Sequence, residues 1–184
     1  CLFAAGLESA EQPQPASTVT PLTGGFVPPP PDSLTKHFPQ LEILAVLGQG
    51  GMGAVYQARQ TKLDRLVALK IIRPESADDP AFAERFNREA RMLARLNHPN
   101  IVAVYDFGEI TLSTPDAHGE TPRTLYYFVM EYVDGANLRQ LIAGGTLSSE
   151  QSLAIIPQVC DALQYAHDEG IVHRDVKPEN ILID

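Results

Sequence analysis

Asp175, Lys177 and Asn180 stand close together in one stretch, His173-Arg174-Asp175-Val176-Lys177-Pro178-Glu179-Asn180. A carboxylate there can accept, or orient, the proton of an attacking hydroxyl. The ammonium of Lys177 can neutralise a phosphoryl group in transfer, and the amide oxygen of Asn180 can coordinate a magnesium ion. Phosphoryl transfer asks a protein mainly for positioning and charge, which these three side chains supply. Arg174 is placed to receive a phosphate carried by another segment. His173 reads as a packing residue rather than a base.

Gly48-Gln49-Gly50-Gly51-Met52-Gly53-Ala54-Val55 follows the pattern G-x-G-x-x-G-x-V. Alone the pattern is weak, because dinucleotide folds and ordinary hairpin turns share it. Context narrows it. A dinucleotide loop opens a helix and a Walker A loop ends in Gly-Lys-Ser/Thr, whereas these glycines lead into a strand. A glycine hairpin lets the backbone lie close over nucleotide phosphates without side chains in the way.

Val67-Ala68-Leu69-Lys70 lies on a later strand. A lysine among apolar strand residues is costly to bury unpaired, so Lys70 is expected to meet phosphate oxygens and a carboxylate. The plainer alternative is a lysine snorkelling at a strand end. Glu89 is the preferred carboxylate and Glu84 its competitor. Arg85 offers Glu89 only an exposed local pair, worth about 0.3 kcal/mol.

The elements that must position these groups follow from periodicity and punctuation. Leu41–Leu47, Ala54–Arg59 and Leu66–Ile72 read as strands of an antiparallel meander, with a turn at Lys62–Arg65. A helix is expected next, capped by Asp79, started by Pro80 and striped by Phe82, Phe86, Ala90 and Leu93. Two further strands, Ile101–Phe107 and Thr124–Val133, flank a polar loop carrying Pro115, Gly119 and Pro122. Ser148 and Gln151 form a capping box before a helix that runs to about Asp168. Leu153, Ile156, Cys160 and Leu163 are its expected apolar stripe, and Pro157 its expected kink. No internal repeat is visible.

Composition sets the outer bounds. A hydrophobic fraction of 44% and a charged fraction of 20% over 184 residues are those of a globular chain. The net charge of −9 disfavours nucleic acid or an anionic membrane surface as a partner. Cys1 and Cys160 make no disulfide framework and suit a reducing cytoplasm. No apolar run is long enough to span a membrane. Residues 1–37, rich in Pro, Ser, Thr and Gly, read as a disordered linker. Pro28–Pro31 within them is a conceivable docking site for a proline-recognising module, with a plain linker the simpler reading.

These motifs, in this order, resemble the Hanks-type Ser/Thr protein kinases, most closely the bacterial branch. The resemblance covers about Phe38 to Asp184. It implies an α+β, protein-kinase-like two-lobe fold: a small lobe over residues 38–133, made of antiparallel sheet plus one helix bearing Glu89, and the start of a large helical lobe over 134–184. The implied activity is transfer of the ATP γ-phosphoryl group, with Mg2+, to Ser or Thr hydroxyls of protein substrates. Lys177 matches the Ser/Thr rather than the Tyr class.

By position, Leu47, Gly48, Gly50 and Gly53 would cover the nucleotide. Val55 and Ala68 would roof the adenine, with Leu182 below it. Met130 would be the gatekeeper, Glu131 and Val133 would hold the adenine edge, and Asn137 would approach the ribose. Asp175, Lys177, Lys70 and Glu89 would be the catalytic set and Asn180 a metal ligand. Glu179 would favour a basic residue in the substrate. Asp106-Phe107-Gly108 spells the family's metal triplet but precedes the catalytic loop, so it reads as a turn at a strand end.

No Asp-Phe-Gly, activation loop or Ala-Pro-Glu follows Asn180 in these residues. Residues 1–184 alone are therefore expected to be inactive, with an exposed apolar helix face that promotes aggregation. Any membrane anchor is expected outside them. A pseudokinase acting as a nucleotide-binding scaffold is the alternative from another class. A small-molecule kinase fits the loop less well.

Overall fold

The computed structural model of the chain describes residues 28–50, 53–72, 80–116 and 119–184, with Pro80 and residues 113–116 and 119–123 described by backbone alone. Residues 1–27, Gly51, Met52 and the helix cap expected at Asp79 lie outside the described residues.

Alternating burial builds the small lobe. Strands β1 (Leu41–Gly50), β2 (Gly53–Gln60), β3 (Arg65–Ile72), β4 (Val104–Asp116) and β5 (Gly119–Glu131) form one antiparallel sheet in the order β1-β2-β3-β5-β4. Side chains alternate across a strand. Ala54, Tyr56 and Ala58 of β2, with Val67, Leu69 and Ile71 of β3, pack into a cluster on one face. Val55, Ala68 and Ile72, with Phe128 and Met130 of β5, belong to a second cluster on the other face.

Helix α2 (Pro80–Leu93) covers the second face. Its stripe is the expected one, with Phe86 and Ala90 fully buried and Leu93 nearly so. Phe86 lies 4.7 Å from Tyr126 and 5.1 Å from Phe128, ring centre to ring centre, in tilted aromatic contacts.

The start of the folded part differs from expectation. Residues assigned to a disordered linker include helix α1 (Pro31–Thr35), and Leu34 and Phe38 are buried in the first cluster. The hairpin of β4 and β5 is also longer than expected. The segment read as a polar loop continues the ladder through Asp116↔Gly119, and Ile110 and Leu112 are buried. Ile101 makes only an isolated bridge, so β4 begins at Val104. Asp106–Gly108 sits inside β4, paired with Val129, Phe128 and Tyr127, rather than at a turn.

The large-lobe portion comprises β6 (Ala136–Asn137), α3 (Leu138–Ala143), α4 (Ser149–Asp168), a 3-10 turn (Pro178–Asn180) and β7 (Leu182–Ile183). The capping box at Ser148 is formed in both directions, Gln151 N–H donating to Ser148 Oγ at 3.1 Å and Ser148 N–H to Gln151 Oε1 at 2.9 Å. Helix α4 runs unbroken through Pro157. The proline leaves the carbonyl four residues earlier, on exposed Leu153, without its helical donor, and water can satisfy it there. Among the described residues, no helix is long and apolar enough to cross a membrane.

The buried stripe of α4 is not the expected one. Leu153 is 66% exposed and Ile156 55%, and Cys160 is exposed as well. Ile155, Val159, Ala162 and Ala166 face the core instead, with Leu163 partly buried beside them. The two alanines bring α4 close to its neighbours. Ala162→Leu is therefore expected to cost about 1–3 kcal/mol by overpacking, whereas Ile156→Ser stays within about 0.5 kcal/mol. Urea unfolding of the two variants checks the assignment, and the reverse ranking would contradict it.

Candidate active site

The loop between α4 and the 3-10 turn is held by its own side chains. Arg174 adopts φ +62°, a left-handed conformation that turns the chain sharply. Asp175 N–H donates to the His173 carbonyl at 2.9 Å and to His173 Nδ1 at 3.2 Å. His173 is buried, 6% exposed, in keeping with a packing role. Asn180 donates from Nδ2 to the Asp175 backbone oxygen at 2.9 Å and to its Oδ2 at 3.0 Å. Lys177 Nζ lies 2.7 Å from the same Oδ2. The half-buried carboxylate is thus fixed by an ammonium and an amide. Both amide hydrogens of Asn180 being engaged, its Oδ1 is the atom left to bind a cation.

The loop meets the small lobe across an apolar seam. Val55, Ala68, Met130, Val133 and Leu182 belong to one cluster, so the residues expected around a purine are brought together. Lys70 pairs in register with Val55 on one side and Phe128 on the other. Its half-buried side chain therefore shares the face of Val55, Ala68 and Met130.

Glycines fix two close approaches. At Gly53 a Cβ would collide with the Ile71 carbonyl oxygen, so only glycine lets β2 lie this near β3. Gly48 and Gly50 meet nothing that a Cβ would touch, and Leu47 is 48% exposed on β1. Gly135 was passed over in the sequence, yet a Cβ there would strike the Ile183 carbonyl oxygen. That contact lets β6 pair with β7, Ala136↔Ile183 and Asn137↔Leu182, which ties the connection between the lobes to Leu182. A glycine four residues after the end of β5 at Glu131 was the available signal.

Three of the expected residues have local surroundings that the sequence did not announce. Asn137 Oδ1 caps α3, accepting from Gln140 N–H at 2.9 Å. Glu179 accepts from Arg139 Nε at 2.8 Å. That hydrogen bond holds its carboxyl below the usual range. Glu89 is half-buried and has no ion pair among those of the described residues. It lines a cavity of about 230 Å3 with Met92, Ile171 and Arg174. Glu131 Oε2 accepts from Ala103 N–H at 3.3 Å, so its side chain binds the protein, as a role through the backbone requires.

A joint between the lobes was also not foreseen. His98 Nε2 lies 3.1 Å from Asp161 Oδ2, and Asn100 Nδ2 donates to Gln158 Oε1 at 3.1 Å. Tyr165 accepts from Asn97 N–H at 3.2 Å, and its ring meets that of His98 in a tilted contact with centroids 5.1 Å apart. The residues read as a helix stop thus fasten the end of α2 to α4. Among the described residues, no group of three or more His, Cys, Asp or Glu stands ready to hold a metal.

Known proteins carry the same pattern. The family model described as protein kinase domain matches residues 41–184. Serine/threonine-protein kinase PknB of Mycobacterium leprae is 48% identical over 143 residues, covering 77% of this chain and 22% of that protein. Serine/threonine-protein kinase PrkC of Bacillus subtilis is 46% identical over 144 residues, covering 78% and 20%. The chain thus spans about a fifth of the length of these curated relatives. The crystal structure of the Mycobacterium tuberculosis PknI kinase domain superposes with a TM-score of 0.62 at 34% identity, covering 78% of this chain and 54% of that one. By sequence and by fold, the chain belongs to the protein kinase domain family.

Proposed function

We propose that this chain carries the nucleotide-binding lobe and catalytic loop of a protein Ser/Thr kinase that transfers the ATP γ-phosphoryl group to protein hydroxyls. The observation that carries the reading is the Asp175 carboxylate held by both Lys177 and Asn180. Asp175 orients the substrate hydroxyl and takes its proton as the phosphoryl group leaves ATP. Lys177 then faces the transferring group and offsets its charge.

Val55, Ala68, Met130 and Leu182 enclose the adenine, and the backbone of Glu131 and Val133 binds its edge. Gly48, Gly50 and Gly53, with Leu47, cover the phosphates, and Lys70 grips them. Glu89 joins Lys70 when α2 moves toward β3 on nucleotide binding. Bound Mg2+ would supply charge neutralisation between the phosphates, and Asn180 Oδ1 would hold it. Asn137 keeps only its amide nitrogen for a sugar hydroxyl. The kinase domain works in the cytoplasm, and any membrane association comes from another segment.

Lys70→Met in the protein at its full natural length tests the cleft. Turnover with ATP is expected to fall about 10²–10³-fold, the usual loss when a preorganised charge is removed. Steady-state transfer of radiolabelled phosphate reads it. Unchanged transfer would remove Lys70 from the site.

A further inference from the structure

Residues 29–38 precede the stretch that matches the family, which begins at residue 41. They are nonetheless built into the small lobe. Pro30 precedes α1, with Ser33 N–H bonded to its carbonyl at 3.0 Å, so the proline run passes directly into the helix. Leu34 is 0% exposed, in the cluster behind the sheet, and Phe38 sets its ring edge-on to Tyr127 at 4.8 Å. The Tyr56 hydroxyl donates to the Pro29 carbonyl at 2.7 Å.

Tyr56 is the point where this segment reaches the cleft. It is fully buried on β2, next to Val55, whose side chain takes the opposite face in register with Lys70. Any shift of Tyr56 along the sheet normal carries Val55 with it, since one backbone bears both. Close packing transmits such a shift rather than absorbing it. Burial pushes the Tyr56 hydroxyl up to about 12, so it stays a neutral donor at every working pH.

We propose that residues 29–38 form a strap that acts through the Tyr56 hydroxyl and Leu34 to hold β2 over the nucleotide. Tyr56 is a positioning residue for ATP, although it touches the side of the sheet away from it. The strap rests on the reading of the cleft as an ATP site. Through it, whatever moves the chain ahead of Pro29 alters ATP affinity without entering the cleft.

The test is the KM for ATP and kcat of the full-length protein, beside its melting temperature. Tyr56→Phe keeps the ring and removes only the bond to Pro29. It is expected to raise KM for ATP about three- to tenfold, the range of one hydrogen bond, with kcat unchanged. Leu34→Ala is expected to move KM the same way and to lower the melting temperature. If Leu34→Ala does not fold, Tyr56→Phe decides alone. A KM within twofold of the parent in Tyr56→Phe, even with a lowered melting temperature, overturns the strap and leaves Tyr56 merely structural. Failure of the parent protein to bind ATP would instead overturn the reading of the cleft, and the strap with it.

Discussion

Asp175→Asn in the full-length protein is expected to lower turnover about 10²–10⁴-fold, the range for loss of a positioned general base. The substitution keeps the shape of the side chain. His173 still accepts from the backbone of residue 175, and Asn180 still reaches the backbone carbonyl at 2.9 Å, so the loop keeps its turn. What disappears is the charge. Lys177, now 2.7 Å from Oδ2, loses this carboxylate, and a neutral amide oxygen is too weak a base to take the proton of the hydroxyl. Affinity for ATP is expected to stay within a few-fold, because the groups assigned to the purine and phosphates lie outside the 173–180 loop. Single-turnover transfer at saturating ATP separates the two effects. Turnover like that of the parent would refute the assigned role.

Phe86→Ala carries the largest expected effect on stability, a loss of about 3–5 kcal/mol. The ring is fully buried where α2 crosses the sheet, between Tyr126 and Phe128. Phe107 lies farther off, at 6.3 Å. Its removal leaves a cavity that aromatic neighbours on two rigid strands cannot close. Such a loss approaches the whole stability of a marginal domain. Phe86→Leu, which refills most of the space, is expected to recover much of it. Glu89 lies three residues on along the same helix, so a loosened α2 also weakens its approach to Lys70. Urea unfolding measures the first effect, and a loss below about 1 kcal/mol would show that Phe86 is not the anchor of α2.

The parts of the site legible in the sequence are those written contiguously. His173–Asn180 is one loop, so its chemistry and its geometry share a few residues. Strand pleating in β2 and β3 sets Val55, Ala68 and Lys70 on the face opposite Tyr56, Leu69 and Ile71. The capping box at Ser148 is equally local and forms as expected.

Long-range choices were not legible. Helix α4 has two apolar stripes, Leu153–Ile156–Cys160 and Ile155–Val159–Ala162–Ala166, and periodicity alone cannot say which meets the core. The small residues of the second stripe allow close approach, and they face inward. The proline-rich start concealed α1, since Leu34 and Phe38 are only two apolar residues in a stretch whose composition opposes order. Arg139 and Glu179 are 40 residues apart, and nothing local announces their pairing. Asn137 carried a visible N-x-x-Q signal for the cap that forms, which was not read from it.

The most direct test of the central claim is transfer of radiolabelled γ-phosphate from ATP by the full-length protein with magnesium, followed by identification of the labelled amino acid in a general protein substrate. Label on serine or threonine, lost in Asp175→Asn, is the predicted result. Tight ATP binding with no transfer would contradict it and make the domain a nucleotide-binding scaffold. Label on tyrosine alone would contradict the assignment of Lys177 to the Ser/Thr class.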